Sequence, residues 1–70
     1  MINAHQLKII EYAYINDLVD NIDFKEKELD KLVKLGLLQD KHKTPKGVYI
    51  YWISEKGLKL LKSKGRTFNG

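Results

Sequence analysis

The sequence contains no cysteine and only one proline, one tryptophan and one arginine among its 70 residues. The absence of cysteine excludes disulfide bonds, thiolate zinc sites and cysteine nucleophiles, and it is compatible with a reducing compartment. No apolar run approaches the roughly 20 residues that a membrane-spanning helix requires, and no signal-peptide pattern opens the chain. We therefore expect a cytoplasmic protein that is not associated with a membrane.

Patterns typical of catalysis and of cofactor binding are also missing. There is no glycine-rich phosphate loop and no nucleophile elbow, and no histidines and carboxylates recur at metal-ligand spacing. A domain of this size buries only about 60% of the surface that its unfolded chain exposes, which leaves little structure for an enzyme cleft. We predict no enzymatic activity, no cofactor and no metal site.

The charged residues are unevenly distributed along the chain. Twelve lysines and one arginine oppose nine acidic residues, which gives a net charge of +4. Six of the acids lie in 17–30 with only two lysines, a net charge of −4, whereas 31–70 holds ten basic and two acidic residues, a net charge of +8. A basic surface of this kind favours phosphate backbones, anionic lipids or acidic proteins as partners.

Helical periodicity and capping residues predict two helices in the first third of the chain. Asn3 followed by Gln6 is a capping-box pattern, and the apolar residues behind it repeat at helical spacing over 4–15. Asn16 and Asp17 interrupt this pattern, and we expect them to cap a short second helix over 18–21.

A third helix is predicted over 24–35. Asp23 followed by Glu26 is a second capping-box pattern, and Gly36 occupies the position where a left-handed residue commonly ends a helix. Two helices separated by so few residues indicate a helix-turn-helix unit.

After Gly36 the apolar pattern changes from helical to alternating. We predict strands over 37–42 and 48–53, joined by a turn over 43–47 that contains the only proline. Ser54 is expected to cap a last helix, in whose first turn Gly57 allows a close backbone approach. One domain over 1–62 and a flexible basic tail over 63–70 complete the prediction.

From "DLVDNIDFKEKELDKLVKLGLL" through "YIYWISEKGLKLL" the chain resembles winged helix-turn-helix domains of MarR-like and ArsR-like transcription regulators. The resemblance covers about 4–61, and its most specific part is the strand that runs directly into a helix capped by Ser-x-x-Gly. It implies an α+β fold with three helices, a β-hairpin wing and a short C-terminal helix, and a DNA-binding function.

In that family the third helix enters the major groove of DNA and the wing contacts the backbone or the minor groove. The resemblance therefore implies two groups of DNA-binding residues, one on the third helix and one on the wing. They are Lys25, Lys27, Lys31 and Lys34 on the helix, and Lys41, His42, Lys43, Thr44 and Lys46 on the wing.

The acidic residues around the third helix weaken this interpretation. Carboxylates near a phosphate backbone would be repelled, and a solvated helix face of paired Glu and Lys residues is an alternative reading of the same run. The acidic stretch also supports a rival function, in which a winged-helix adaptor docks this face on a basic protein partner. A small viral or mobile-element protein that binds a host factor would be an example.

The second strand of the predicted hairpin is apolar on both faces. If Ile53 points into the core, Val48, Ile50 and Trp52 form a second stripe that another surface must cover. We predict an interaction surface there, such as the seam of a homodimer that reads two half-sites. The alternative is that lysine stems and Phe68 of the tail cover the stripe within one chain.

Overall fold

The computed structural model describes residues 2–64, which form three helices and a three-stranded antiparallel sheet. In chain order the elements are α1 (Ala4–Asn16), β1 (Val19–Asp20), α2 (Glu26–Lys34), β2 (His42–Lys43), β3 (Tyr49–Tyr51) and α3 (Glu55–Ser63). The strand order is β1-β3-β2, so β3 occupies the centre of the sheet. This architecture confirms the predicted α+β class. No helix within residues 2–64 has both the length and the apolar character needed to cross a lipid bilayer.

The predicted first helix is confirmed, including its capping box. The Asn3 side chain accepts a hydrogen bond from the backbone N–H of Gln6 at 2.8 Å, and the Gln6 side chain accepts one from the N–H of Asn3 at 3.0 Å. Ile9, Ile10 and Ala13 are buried along one face of α1, as the helical spacing of apolar residues requires.

The predicted second helix over 18–21 is wrong. Asp17 ends α1 in a left-handed conformation with φ of 70°, and the next residues form β1, in which Val19 lies opposite Tyr51 of β3. A helix of four residues gains too few internal hydrogen bonds to offset the cost of its nucleation. Pairing with β3 satisfies the same backbone groups, and it also buries Val19 completely.

The predicted capping box at Asp23 and Glu26 does not form. α2 begins at Glu26, and the N-cap residue, Lys25, makes no side-chain capping bond. The turn before the helix is instead held by Asp20, whose Oδ1 accepts hydrogen bonds from the backbone N–H groups of Ile22 and Asp23, each at 3.0 Å. The carboxylate that satisfies these donors therefore comes from β1 and not from the expected capping position.

The end of α2 follows the prediction. Gly36 adopts the left-handed conformation with φ of 79°, its N–H donates to the carbonyl of Val33, and the N–H of Leu37 donates to the carbonyl of Leu32. These two bonds form a Schellman motif, which reverses the chain direction after the helix.

The predicted hairpin is present with shorter strands. β2 and β3 pair antiparallel, and beyond them an isolated bridge joins Leu38 to Ile53. In the turn, the N–H of Thr44 donates to the carbonyl of Val48 at 2.8 Å, and the Thr44 hydroxyl accepts from the N–H of Val48 at 3.1 Å. Gly47 supplies the positive φ of 82° that the turn needs.

The predicted cap of the last helix is also confirmed. The Ser54 hydroxyl accepts a hydrogen bond from the N–H of Gly57 at 3.0 Å and donates one to the carbonyl of Gly36. A Cβ atom at Gly57 would overlap the carbonyl oxygen of Leu37, so glycine is required for this close approach. Of the predicted flexible tail, 63–70, only the first two residues are among those described, and Ser63 is the last residue of α3.

The hydrophobic core lies between the helices and the inner face of the sheet. Its largest fully buried side chain is that of Tyr51, which extends from the central strand. The other core residues come from all three helices, from β1 and from the segment after α2. They are Ile9, Ile10, Ala13, Val19, Leu29, Leu32, Leu37, Leu38 and Leu61.

Candidate nucleic-acid interface

The outward face of α2 carries three exposed lysines in a row. Lys27, Lys31 and Lys34 are spaced i, i+4 and i+7, so they share one side of the helix within about 60° of arc. Leu29 and Leu32 on the opposite side are fully buried, which fixes the lysines toward solvent. No carboxylate within residues 2–64 forms a salt bridge with any of the three. We call these residues the lysine stripe.

The acidic residues of α2 lie on its two flanks. Glu26 and Asp30 are one turn apart on the flank that faces the hairpin, and both contact the ammonium group of Lys41. The Nζ atom of Lys41 lies 2.6 Å from Oε2 of Glu26 and 3.2 Å from Oδ2 of Asp30. The two carboxylates therefore share one positive charge, which the protein itself supplies.

Tyr51 completes this cluster from the core. Its hydroxyl donates a hydrogen bond of 2.8 Å to Oδ1 of Asp30, and burial together with this bond raises the pKa of Tyr51. The Lys41 ammonium also lies 4.6 Å from the centre of the Tyr49 ring. The hydrogen bond to Glu26 raises the pKa of Lys41. We call Glu26, Asp30, Lys41 and Tyr51 the Lys41 network.

The position of Lys41 changes its predicted role. The sequence suggested a lysine on the wing that is open to phosphates, whereas the structure turns its ammonium group toward two carboxylates. Only 28% of the side chain is exposed. Lys41 therefore joins the hairpin to α2 and is not part of the free positive charge.

The remaining acids near α2 also have partners within the protein. Glu28, on the flank that faces α1, contacts Nε2 of His5 at 2.9 Å. Asp23 accepts a hydrogen bond of 2.9 Å from the Tyr12 hydroxyl, which raises the pKa of Tyr12. Asp20 holds the turn before α2. Most carboxylates of the acidic stretch thus form contacts that join α1, the turn or the hairpin to the region of α2.

The tip of the hairpin contributes two further exposed lysines. Lys43 and Lys46 form no salt bridge with any carboxylate of residues 2–64. The Thr44 hydroxyl is used to hold the turn. Lys25 is exposed immediately before α2, outside the lysine stripe. The three lysines of the stripe and the two at the tip are therefore exposed and have no carboxylate partner within residues 2–64, as is the case for Lys25.

The predicted stripe of Val48, Ile50 and Trp52 is half-buried. His42 is exposed, and its ring packs edge-on against the Trp52 indole with ring centres 4.9 Å apart. His42 thus belongs to the outer sheet face, together with Ile50 opposite it in the register. Phe68, which was predicted together with lysine stems to cover this stripe, lies outside the described residues.

Sequence reasoning missed the Lys41 network. A signal was present, because Glu26 and Asp30 are four residues apart and must lie on one side of a helix. A tyrosine in an inward-facing strand position also needs a partner for its hydroxyl. The sequence does not show that Lys41 lies close to these residues in space.

Residues 2–64 contain no group of three or more histidine and carboxylate side chains placed to hold a metal ion. No protein-family model, curated protein or solved structure matches this chain.

Proposed function

We propose that this protein binds duplex DNA through the lysine stripe and the hairpin tip, as a small DNA-binding regulator with a winged-helix layout. The observation that carries the proposal is the arrangement of charge on α2. The three lysines of the stripe face solvent, while the helix acids are paired within the protein. Phosphate repulsion, the main objection raised by the sequence, is thereby reduced at Glu26 and Asp30, which share the positive charge of Lys41.

The layout of the elements supports the same proposal. A helix precedes a two-stranded hairpin, the first strand pairs on the far side of the sheet, and a last helix closes the fold. This order suits a winged helix-turn-helix protein in which a turn over 21–24 replaces the second helix. In such a protein α2 would face the major groove and the hairpin would lie along the backbone.

The contacts of the acidic residues support the adaptor alternative less well than DNA binding. It needs an acidic face that is free to dock on a basic partner, yet Asp23, Glu26, Glu28 and Asp30 have partners inside the fold. Breaking those contacts to meet a partner would cost free energy that an open acidic surface would not. The predicted homodimer seam at Val48, Ile50 and Trp52 stays a prediction, which sedimentation of the free protein would test.

The proposal is tested by binding of a fluorescently labelled duplex in low salt, followed by anisotropy. We expect the wild-type protein to bind and the triple variant Lys27→Ala, Lys31→Ala, Lys34→Ala to bind at least tenfold more weakly, since each phosphate contact contributes to affinity. Alanine is a good helix former, so α2 should persist.

A matched control removes the same charge elsewhere. Lys8 on α1 and Lys59 and Lys62 on α3 are exposed, and the triple variant Lys8→Ala, Lys59→Ala, Lys62→Ala should keep most of the affinity. Equal losses in the two triple variants would mean that only net charge matters, which contradicts the proposed interface. Failure of the wild-type protein to bind at low salt would end the proposal.

A further inference from the structure

The side chains that read DNA sequence with a fixed hydrogen-bonding geometry are missing from the described part of the proposed interface. Base edges are recognised mainly by arginine or lysine, which donate to guanine, and by the amide groups of asparagine and glutamine. α2 has the sequence EKELDKLVK, which contains lysine but no arginine, asparagine or glutamine. The single arginine of the chain, Arg66, lies outside the described residues.

Every asparagine and glutamine side chain within residues 2–64 forms a hydrogen bond with the protein backbone. Two of them form the capping box of α1, and the others bind the backbone at the end of α1, at the start of β3 and after β3. They are Asn3, Gln6, Asn16, Asn21 and Gln39. None of them lies on α2 or at the hairpin tip.

The remaining polar side chains at the interface are also committed. A glutamate can accept a hydrogen bond from the amino group of cytosine, but Glu26 and Glu28 are held by Lys41 and His5. The Thr44 hydroxyl is bound within the turn. The interface is therefore left with lysines, which act as flexible point charges and lack the rigid fork of arginine.

We infer that the protein binds duplex DNA with no preference for base sequence. This inference rests on the proposed function and specifies its substrate, which is the phosphate backbone of any duplex. Phosphate contacts set position and affinity without carrying sequence information. The fraction of DNA that the protein covers would then depend on the protein concentration and not on the presence of an operator sequence.

The inference is tested with the full-length protein and a pool of duplexes that have a random central segment. After several rounds of selection for bound duplexes, we expect base frequencies that match the starting pool. Duplexes of only A·T and only G·C pairs should bind within about threefold of each other, whereas sequence-specific proteins discriminate by about a thousandfold or more.

The outcomes separate this inference from the proposed function. A motif that binds tenfold more tightly than the pool average would overturn sequence-independent binding and leave DNA binding in place. If no duplex in the pool binds at low salt, the proposed function itself fails. Unchanged base frequencies in a pool that does bind would support both.

Discussion

The salt dependence of the proposed DNA binding can be calculated from the lysines of the proposed interface. Each lysine that neutralises a phosphate contributes about 0.9 to the slope of log Kobs against log salt concentration, so the five lysines of the stripe and the tip predict a slope of about −4.5. Between 50 and 200 mM salt the affinity should then fall about 500-fold. Replacing both tip lysines, Lys43→Ala and Lys46→Ala, should reduce the slope to about −2.7 and the loss to about 40-fold.

The assay is fluorescence anisotropy of one labelled duplex, repeated over a series of salt concentrations for the wild-type protein and the double variant. A control variant with Lys59→Ala and Lys62→Ala on α3 loses the same charge and should keep the wild-type slope. The reasoning is refuted if the tip variant keeps a slope near −4.5, because those ammonium groups would then meet no phosphate.

The further predictions concern Lys41, Gly57 and Tyr51, which hold the elements of the fold together. Lys41→Met should weaken DNA binding without changing the salt slope, because its ammonium group neutralises carboxylates and not phosphates; a slope smaller by about 0.9 would contradict this role. Gly57→Ala should lower the free energy of unfolding in urea by about 1–3 kcal/mol, since the new methyl group would overlap the Leu37 carbonyl. Tyr51→Phe should cost about 1.5–3 kcal/mol, the value of a hydrogen bond to a charged group such as Asp30. Because the pKa of Tyr51 is raised above its ordinary 10.0, its contribution to stability is full below pH 10 and falls as the pH rises further. Urea unfolding should show a larger alkaline loss in the wild-type protein than in the Phe variant, which keeps the raised pKa values of Tyr12 and Lys41; an equal loss in both would assign it to other groups.

The sequence predicted best those features whose partners are close along the chain. The Asn3 and Gln6 box, the left-handed Gly36 and the Ser54 cap each depend on residues about three positions apart, and all of them formed. The turn with Gly47 belongs to the same class. Local hydrogen bonds and backbone conformations are properties of a few neighbouring residues, so a sequence pattern is enough to predict them.

The errors fell where a distant strand competed with a local pattern. Residues 18–21 have enough apolar and capping character for a short helix, but β3 lies about thirty residues later and offers hydrogen-bond partners for the same backbone. Asp23 has the right spacing for a capping box with Glu26, yet the Tyr12 hydroxyl binds its carboxylate. A local signal worth a few tenths to about 1 kcal/mol is easily overridden by such tertiary contacts.

The sequence by itself determined the α+β composition, the two helix ends that glycine and serine fix, and the excess of lysine over carboxylate. Only the tertiary structure decided which of those charges are free. Lys41 meets Glu26 and Asp30 across 15 and 11 residues, and His5 meets Glu28 across 23. Charge acts through distance in space, so the packing of the hairpin and α1 against α2 decides which acids are paired, and within residues 2–64 it leaves Lys27, Lys31 and Lys34 without a carboxylate partner.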